Sequence, residues 1–175
     1  RLYQLPLGVV GISIGIVLLP NLTKKLASND LQGSKDSFNR SLEFALALTL
    51  PAASALIVIS EPLISVLYER GAFTKVDTIN TSAALIIYAL GLPAFVGQKI
   101  LQPVFYAREN TRTPFYFALV AMVVNLVLAV SFSPVLGYLA PAIGTTIASW
   151  CMVILLSRSA RKYGVAVQID NKNKK

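Results

Sequence analysis

The feature that most limits what this chain can become is a set of five long apolar stretches, near Leu2–Leu22, Leu42–Ile59, Ile79–Leu101, Phe115–Phe132 and Leu139–Leu156. Each approaches the roughly 20 helical residues needed to cross a hydrocarbon core about 30 Å thick. A soluble helix bundle would show polar stripes every three to four residues, and these stretches do not. Leu46-Ala47-Leu48-Thr49-Leu50-Pro51-Ala52-Ala53 instead alternates large and small residues all round, a pattern suited to lipid on one side and close helix contact on the other. Composition agrees, with 55% hydrophobic residues against 14% charged. The predicted fold class is all-α: a polytopic membrane bundle of about five helices over residues 1–163, then a polar, lysine-rich tail at 164–175 that is expected to be disordered.

Within the spans, Pro6, Pro51 and Pro93 predict kinks whose freed carbonyls neighbouring helices can meet. Gly11 and Gly15 form a GxxxG pair, and Ala140, Gly144 and Ala148 repeat that spacing of small residues. The chain opens on Arg1 rather than Met and runs at once into apolar sequence. An odd number of spans also leaves no complete internal repeat. Both features lead us to expect a piece of a longer protein.

The net charge of +8 is explained by position. Of the 16 basic residues, all but Arg1, Arg70, Lys75 and Lys99 fall in three segments, 23–41, 102–114 and 157–175. The alternating loops, 60–78 and 133–138, hold Arg70 and Lys75 offset by Glu61, Glu69 and Asp77. By the positive-inside rule the first three segments are cytoplasmic, and the first span runs from outside to inside. Basic residues divided in this way, without an aromatic stacking platform, give no track for nucleic acid, so no such partner is expected. The tail has two readings: a solvated end, or a contact with anionic headgroups.

Zero histidines and the single Cys151 remove imidazole bases, thiol–histidine clusters and an intrachain disulfide. There is no phosphate-cradling GxxxxGK[ST] loop, and all eight acids lie in loops or near span ends. No catalytic residue, metal or cofactor is therefore expected, nor a proton relay at mid-membrane.

A few polar residues at membrane depth remain. Arg1 opens the first span with Gln4 one turn further on the same face. A guanidinium there can hold a phosphate or diphosphate bidentately, or snorkel to the outer interface. Lys99, beside Gln98 at the inner end of the third span, has two readings: a substrate-binding cation, or a lysine snorkelling to cytosolic headgroups. Asn125 is expected to make an interhelical hydrogen bond, and Arg40 and Glu43 a local ion pair. Glu61–Tyr68 predicts an interfacial helix, followed by a glycine turn at Gly71, with Asp77 or Thr78 capping the third span. Pro114 is expected to open the fourth span at its first turn. Asn-X-Ser/Thr triplets at Asn21, Asn39 and Asn80 lie against the membrane and are read as chance.

Taken together, Arg1-Leu2-Tyr3-Gln4-Leu5-Pro6-Leu7-Gly8, Leu18-Leu19-Pro20, Glu69-Arg70-Gly71-Ala72-Phe73-Thr74, and Phe105-Tyr106-Ala107-Arg108 with Thr111-Arg112-Thr113-Pro114 resemble the MurJ/MviN family. These are bacterial lipid II flippases of the multidrug/oligosaccharidyl-lipid/polysaccharide exporter superfamily. The resemblance covers roughly residues 1–163. It implies helices eight to twelve of a fourteen-helix fold, most of a second lobe around a cationic cavity. It also implies a transporter rather than an enzyme, moving lipid-linked peptidoglycan precursor of the undecaprenyl-diphosphate type across the bacterial inner membrane by alternating access. Arg1 matches the family's cavity-facing arginine directed at the substrate diphosphate. The implied partners are that precursor, membrane lipids and the remaining helices of the full-length transporter. Two other readings stand beside it: another exporter of the superfamily, carrying a different lipid-linked oligosaccharide or a drug, and a degenerate membrane remnant that transports nothing.

Overall fold

The computed structural model describes residues 2–162, so Arg1 and the tail at 164–175 lie outside the described residues. The described residues are helical almost throughout and contain no strand. The helices are α1 (Gln4–Ala27), α2 (Leu31–Val58), α3 (Ser60–Tyr68), α4 (Lys75–Tyr106), α5 (Arg112–Leu136) and α6 (Ala140–Arg161). A single 3-10 turn at Gly137–Leu139 joins α5 to α6. Helices this long and apolar make the chain a multi-pass membrane protein.

Most of these helices are longer than the apolar stretch inside them, because polar residues build their ends. Segment 23–41 is not a loop but two helix ends joined by Ser28, Asn29 and Asp30. Lys24 and Lys25 stand in the last turn of α1, where the helix dipole favours cations. Asn29 takes a left-handed φ of 57°. Asp30 then caps α2, its Oδ1 accepting from the Gly33 N–H at 2.8 Å. Segment 102–114 is likewise mostly helix. Asn110 Oδ1 accepts from the Thr113 N–H at 3.1 Å, and α5 starts at Arg112 rather than at Pro114. Pro114 still falls within the first turn, where its missing N–H costs nothing.

The prolines do not break their helices. α2 and α4 run through Pro51 and Pro93, while α1 makes a π-helical segment at Leu7–Ile12 directly after Pro6. Side chains of α6 reach into the region of Pro93. Thr146 Oγ1 donates to the Ile87 carbonyl at 3.0 Å and Trp150 Nε1 to the Leu90 carbonyl at 3.4 Å. These carbonyls stand on either side of the one at Ala89 that Pro93 leaves without its usual helical donor. In return Gln98 Nε2 donates to the Ser149 carbonyl at 3.2 Å.

α4 is the central strut, packed on one side by α6 and on the other by α1, α2 and α3. α5 rests almost wholly on α6. The small residues set how closely these helices approach. A Cβ on Gly15 would come within 3.0 Å of the Lys99 carbonyl oxygen, and one on Gly11 within 3.5 Å of Val96 Cα. The GxxxG pair therefore faces α4. Gly144 faces α5 instead, where a Cβ would meet Asn125 Oδ1 at 2.7 Å. Asn125 thus lies at a helix interface, with its amide oxygen over a glycine.

The core gathers at the end of the bundle that carries the basic segments, around Leu18, Leu22, Phe38, Ile100, Phe105 and Leu156. All are 2% exposed or less. Among lipid tails, dispersion and shape hold such a cluster together, because burying it gains little hydrophobic free energy. α5 shows the opposite: Pro114 is its one buried residue, while Val123, Leu126, Val127 and Val130 are exposed. Such a face suits hydrocarbon or further helices.

Candidate functional site

Of the residues singled out in the sequence, Gln4 and Lys99 are described, and they do not converge. Gln4 is exposed in the first turn of α1. Lys99 is exposed toward the other end of the bundle, with its carbonyl oxygen against Gly15. Gln4 precedes Gly15 by eleven residues, so the two side chains start roughly 16 Å apart along the helix axis.

The residues following Arg1 enter a cleft between the start of α1, α3 and the first half of α4. It has a volume of about 240 Å³, and Leu2, Tyr3, Ile64, Tyr68, Phe73 and Tyr88 are among its lining residues. Tyr3 stacks on Tyr88 with ring centroids 4.7 Å apart and planes 13° from parallel. It also lies against Phe95 at 5.6 Å. Offset aromatic pairs of this kind contribute about 0.5–1.5 kcal/mol beyond their area. They fasten the beginning of α1 to α4.

The motif Glu69–Thr74 reaches the cleft through Phe73. Gly71 turns the chain at a φ of 61°, a left-handed conformation in which glycine carries no Cβ penalty. Thr74, rather than Asp77 or Thr78, is the N-cap of α4. It forms a capping box with Asp77, in which the Thr74 N–H donates to Asp77 Oδ2 at 2.8 Å and the Asp77 N–H to Thr74 Oγ1 at 3.4 Å. Thr78 is buried and its hydroxyl donates to Glu69 Oε2 at 3.1 Å. Hydrogen bonds from the Ser65 and Thr78 hydroxyls hold the Glu69 carboxyl below its ordinary value of 4.5. Nearby, the Tyr138 hydroxyl donates to Asn80 Oδ1 at 2.8 Å, tying the α5–α6 turn to α4.

A second polar feature opens between α1 and α2 at the other end. The expected Arg40–Glu43 pair does not form; among the described residues no ion pair joins them. Arg40 instead lines a groove of about 580 Å³ with Ser13, Asn21, Ser37 and Ser41. The helix spacing that suggested an i, i+3 pair leaves each long side chain free to turn away. Sequence reasoning missed this groove because its residues come from two helices whose relative register is not written in either. Asn21, Ser37, Arg40 and Ser41, polar on two consecutive spans, were the available signal.

The family model described as lipid II flippase MurJ matches residues 1–173. A probable lipid II flippase MurJ of Rhizobium tropici is 48% identical over 156 residues, covering 89% of this chain and 29% of the relative. One from Rickettsia prowazekii is 37% identical, covering 96% of this chain and 33% of its own length. A solved structure of lipid II flippase MurJ in an inward closed conformation superimposes with a TM-score of 0.79 at 36% identity, over 92% of this chain and 34% of that one. The chain thus spans about a third of the length of the relatives it matches. With its sequence, helix order and packing in agreement with them, the chain belongs to the lipid II flippase MurJ family.

Proposed function

We propose that these residues form part of a lipid II flippase, a transporter rather than an enzyme. It carries the lipid-linked peptidoglycan precursor, of the undecaprenyl-diphosphate type, from the cytoplasmic to the periplasmic leaflet of the bacterial inner membrane by alternating access. The observation carrying this reading is the family match along 1–173 together with the shared fold. The physics is coherent with it: an anionic headgroup crosses hydrocarbon only along a wet, cationic path between helices that rock between two states. In this reading the chain supplies most of the second lobe, and the first lobe and remaining helices are its partners.

Charge supports an orientation with 23–41, 102–114 and the tail from 157 on the cytoplasmic side, so that α1 runs inward. Arg1 and Gln4 then lie toward the periplasm and Lys99 toward the cytoplasm. We assign Arg1 to the substrate diphosphate, with Gln4 beside it, and Lys99 to phosphate groups met at the cytoplasmic end. In the full-length protein Arg1→Ala should abolish complementation of a flippase-depleted strain while membrane insertion and abundance remain normal. Normal growth of that variant would remove Arg1 from the substrate site.

A further inference from the structure

The groove between α1 and α2 changes character along its length. α1 and α2 are consecutive spans joined by a short turn and run antiparallel, so Asn21 of α1 stands level with the first half of α2, where Ser37, Arg40 and Ser41 lie. Further from the turn the lining becomes Ile14, Val17 and Phe44, with Val17 and Phe44 64% and 60% exposed. One end is therefore cationic and hydroxylated, and the rest, Ser13 apart, is apolar and open to the side. Lys25 adds a second positive charge at the polar end. Its Nζ donates to Ser37 Oγ at 2.6 Å and to the Gly33 carbonyl at 2.9 Å, fixing the ammonium between the two helices. Of the nearby acids, Asp30 caps α2, Asp36 accepts from Gln32 Nε2 at 3.2 Å, and Glu43 is exposed and does not line the groove.

We propose that this groove is a binding site for an anionic phospholipid of the adjoining leaflet. The headgroup phosphate sits on Arg40 with Ser37, Ser41 and Asn21, and one acyl chain lies along Ile14, Val17 and Phe44. Charge complementarity and the polarity gradient favour a lipid over an apolar helix, which would leave the Arg40 guanidinium facing hydrocarbon. A guanidinium flanked by hydroxyls is suited to a phosphate. The site differs from the Arg1 region and does not depend on the flippase reading.

The test uses the full-length protein in nanodiscs of mixed phosphatidylglycerol and phosphatidylcholine, read by native mass spectrometry of retained lipid. Wild type should retain phosphatidylglycerol preferentially. Arg40→Gln should reduce that preference about fivefold, in keeping with roughly 1 kcal/mol per basic residue near an anionic surface, and Arg40→Lys should restore part of it. Val17→Trp, which fills the apolar part and leaves the charge, should lower retention of both lipids at this site. Unchanged preference in Arg40→Gln would overturn the proposal. So would displacement of phosphatidylglycerol by stoichiometric undecaprenyl phosphate, which would make the groove a substrate site, or a disulfide from Val17→Cys to another helix of the full-length protein, which would make it a helix seat. Complementation by Arg40→Gln reports separately on transport.

Discussion

Gly15 and Gly144 show how much a single absent Cβ decides here. Both were visible as members of small-residue repeats, but the repeat alone does not say which helix sits on it. Gly11 and Gly15 admit α4, and Gly144 admits Asn125 of α5. Backbone and a branched amide give way less readily than the tip of a flexible side chain. Gly15→Leu, against the Lys99 carbonyl, should therefore cost about 1–3 kcal/mol. This would be read as a lower melting temperature of the detergent-solubilised full-length protein, with Gly8→Leu as control, since nothing lies within 4 Å of a Cβ at that position. Equal effects of the two would mean that the α1–α4 contact does not set stability. The converse limit appears at Arg40: its spacing from Glu43 suggested a partner, yet half of its groove comes from α1, which no reading of α2 alone can supply.

At the scale of elements, the apolar stretches made the all-helical class legible, because period and length are properties of each segment alone. Helix ends were less legible. Lys, Ser, Gln and Asp are compatible with both loop and helix, and it is caps such as Asp30 and Thr74 that settle the matter. The Thr74–Asp77 box starts the longest of the described helices, so Thr74→Ala should cost about 1 kcal/mol and Thr74→Ser much less, measured by thermal unfolding. The Glu69 contact beside it carries a pH dependence. Its carboxyl is held below 4.5 by hydroxyl donors in the folded protein, so the added order is complete above that value and is lost as pH falls through the lower, folded one. Amide protection factors in the 69–74 loop, with exchange rates corrected for their intrinsic pH dependence, should fall on acidification, and Glu69→Gln should flatten the response.

At the scale of the whole molecule, the proposed function makes the described helices one face of something larger. α5 presents its apolar residues outward, and the relatives are about three times as long as this chain. A cavity with walls on one side cannot exclude hydrocarbon from a polar cargo. Vesicles reconstituted with residues 1–175 alone should therefore show no flipping of a lipid-linked diphosphate above the protein-free rate, whereas the full-length protein should. Flipping by the shorter chain would contradict the shared-cavity reading. The odd number of spans pointed to a longer protein, but the identity of the proposed partner helices entered only through the recognisable loop and helix-start motifs, which constrain ancestry more than geometry.

The π-helical segment at Leu7–Ile12 gives α1 two separate angular settings. Residues beyond it, Gly15 among them, take their azimuth from contact with α4. An extra residue accommodated in that turn offsets everything before it by about 100°, the rotation of one helical residue. The start of the helix can thus meet α4 through Tyr3 in one phase while the remainder packs in another, much as a key's bit is cut without altering its shaft.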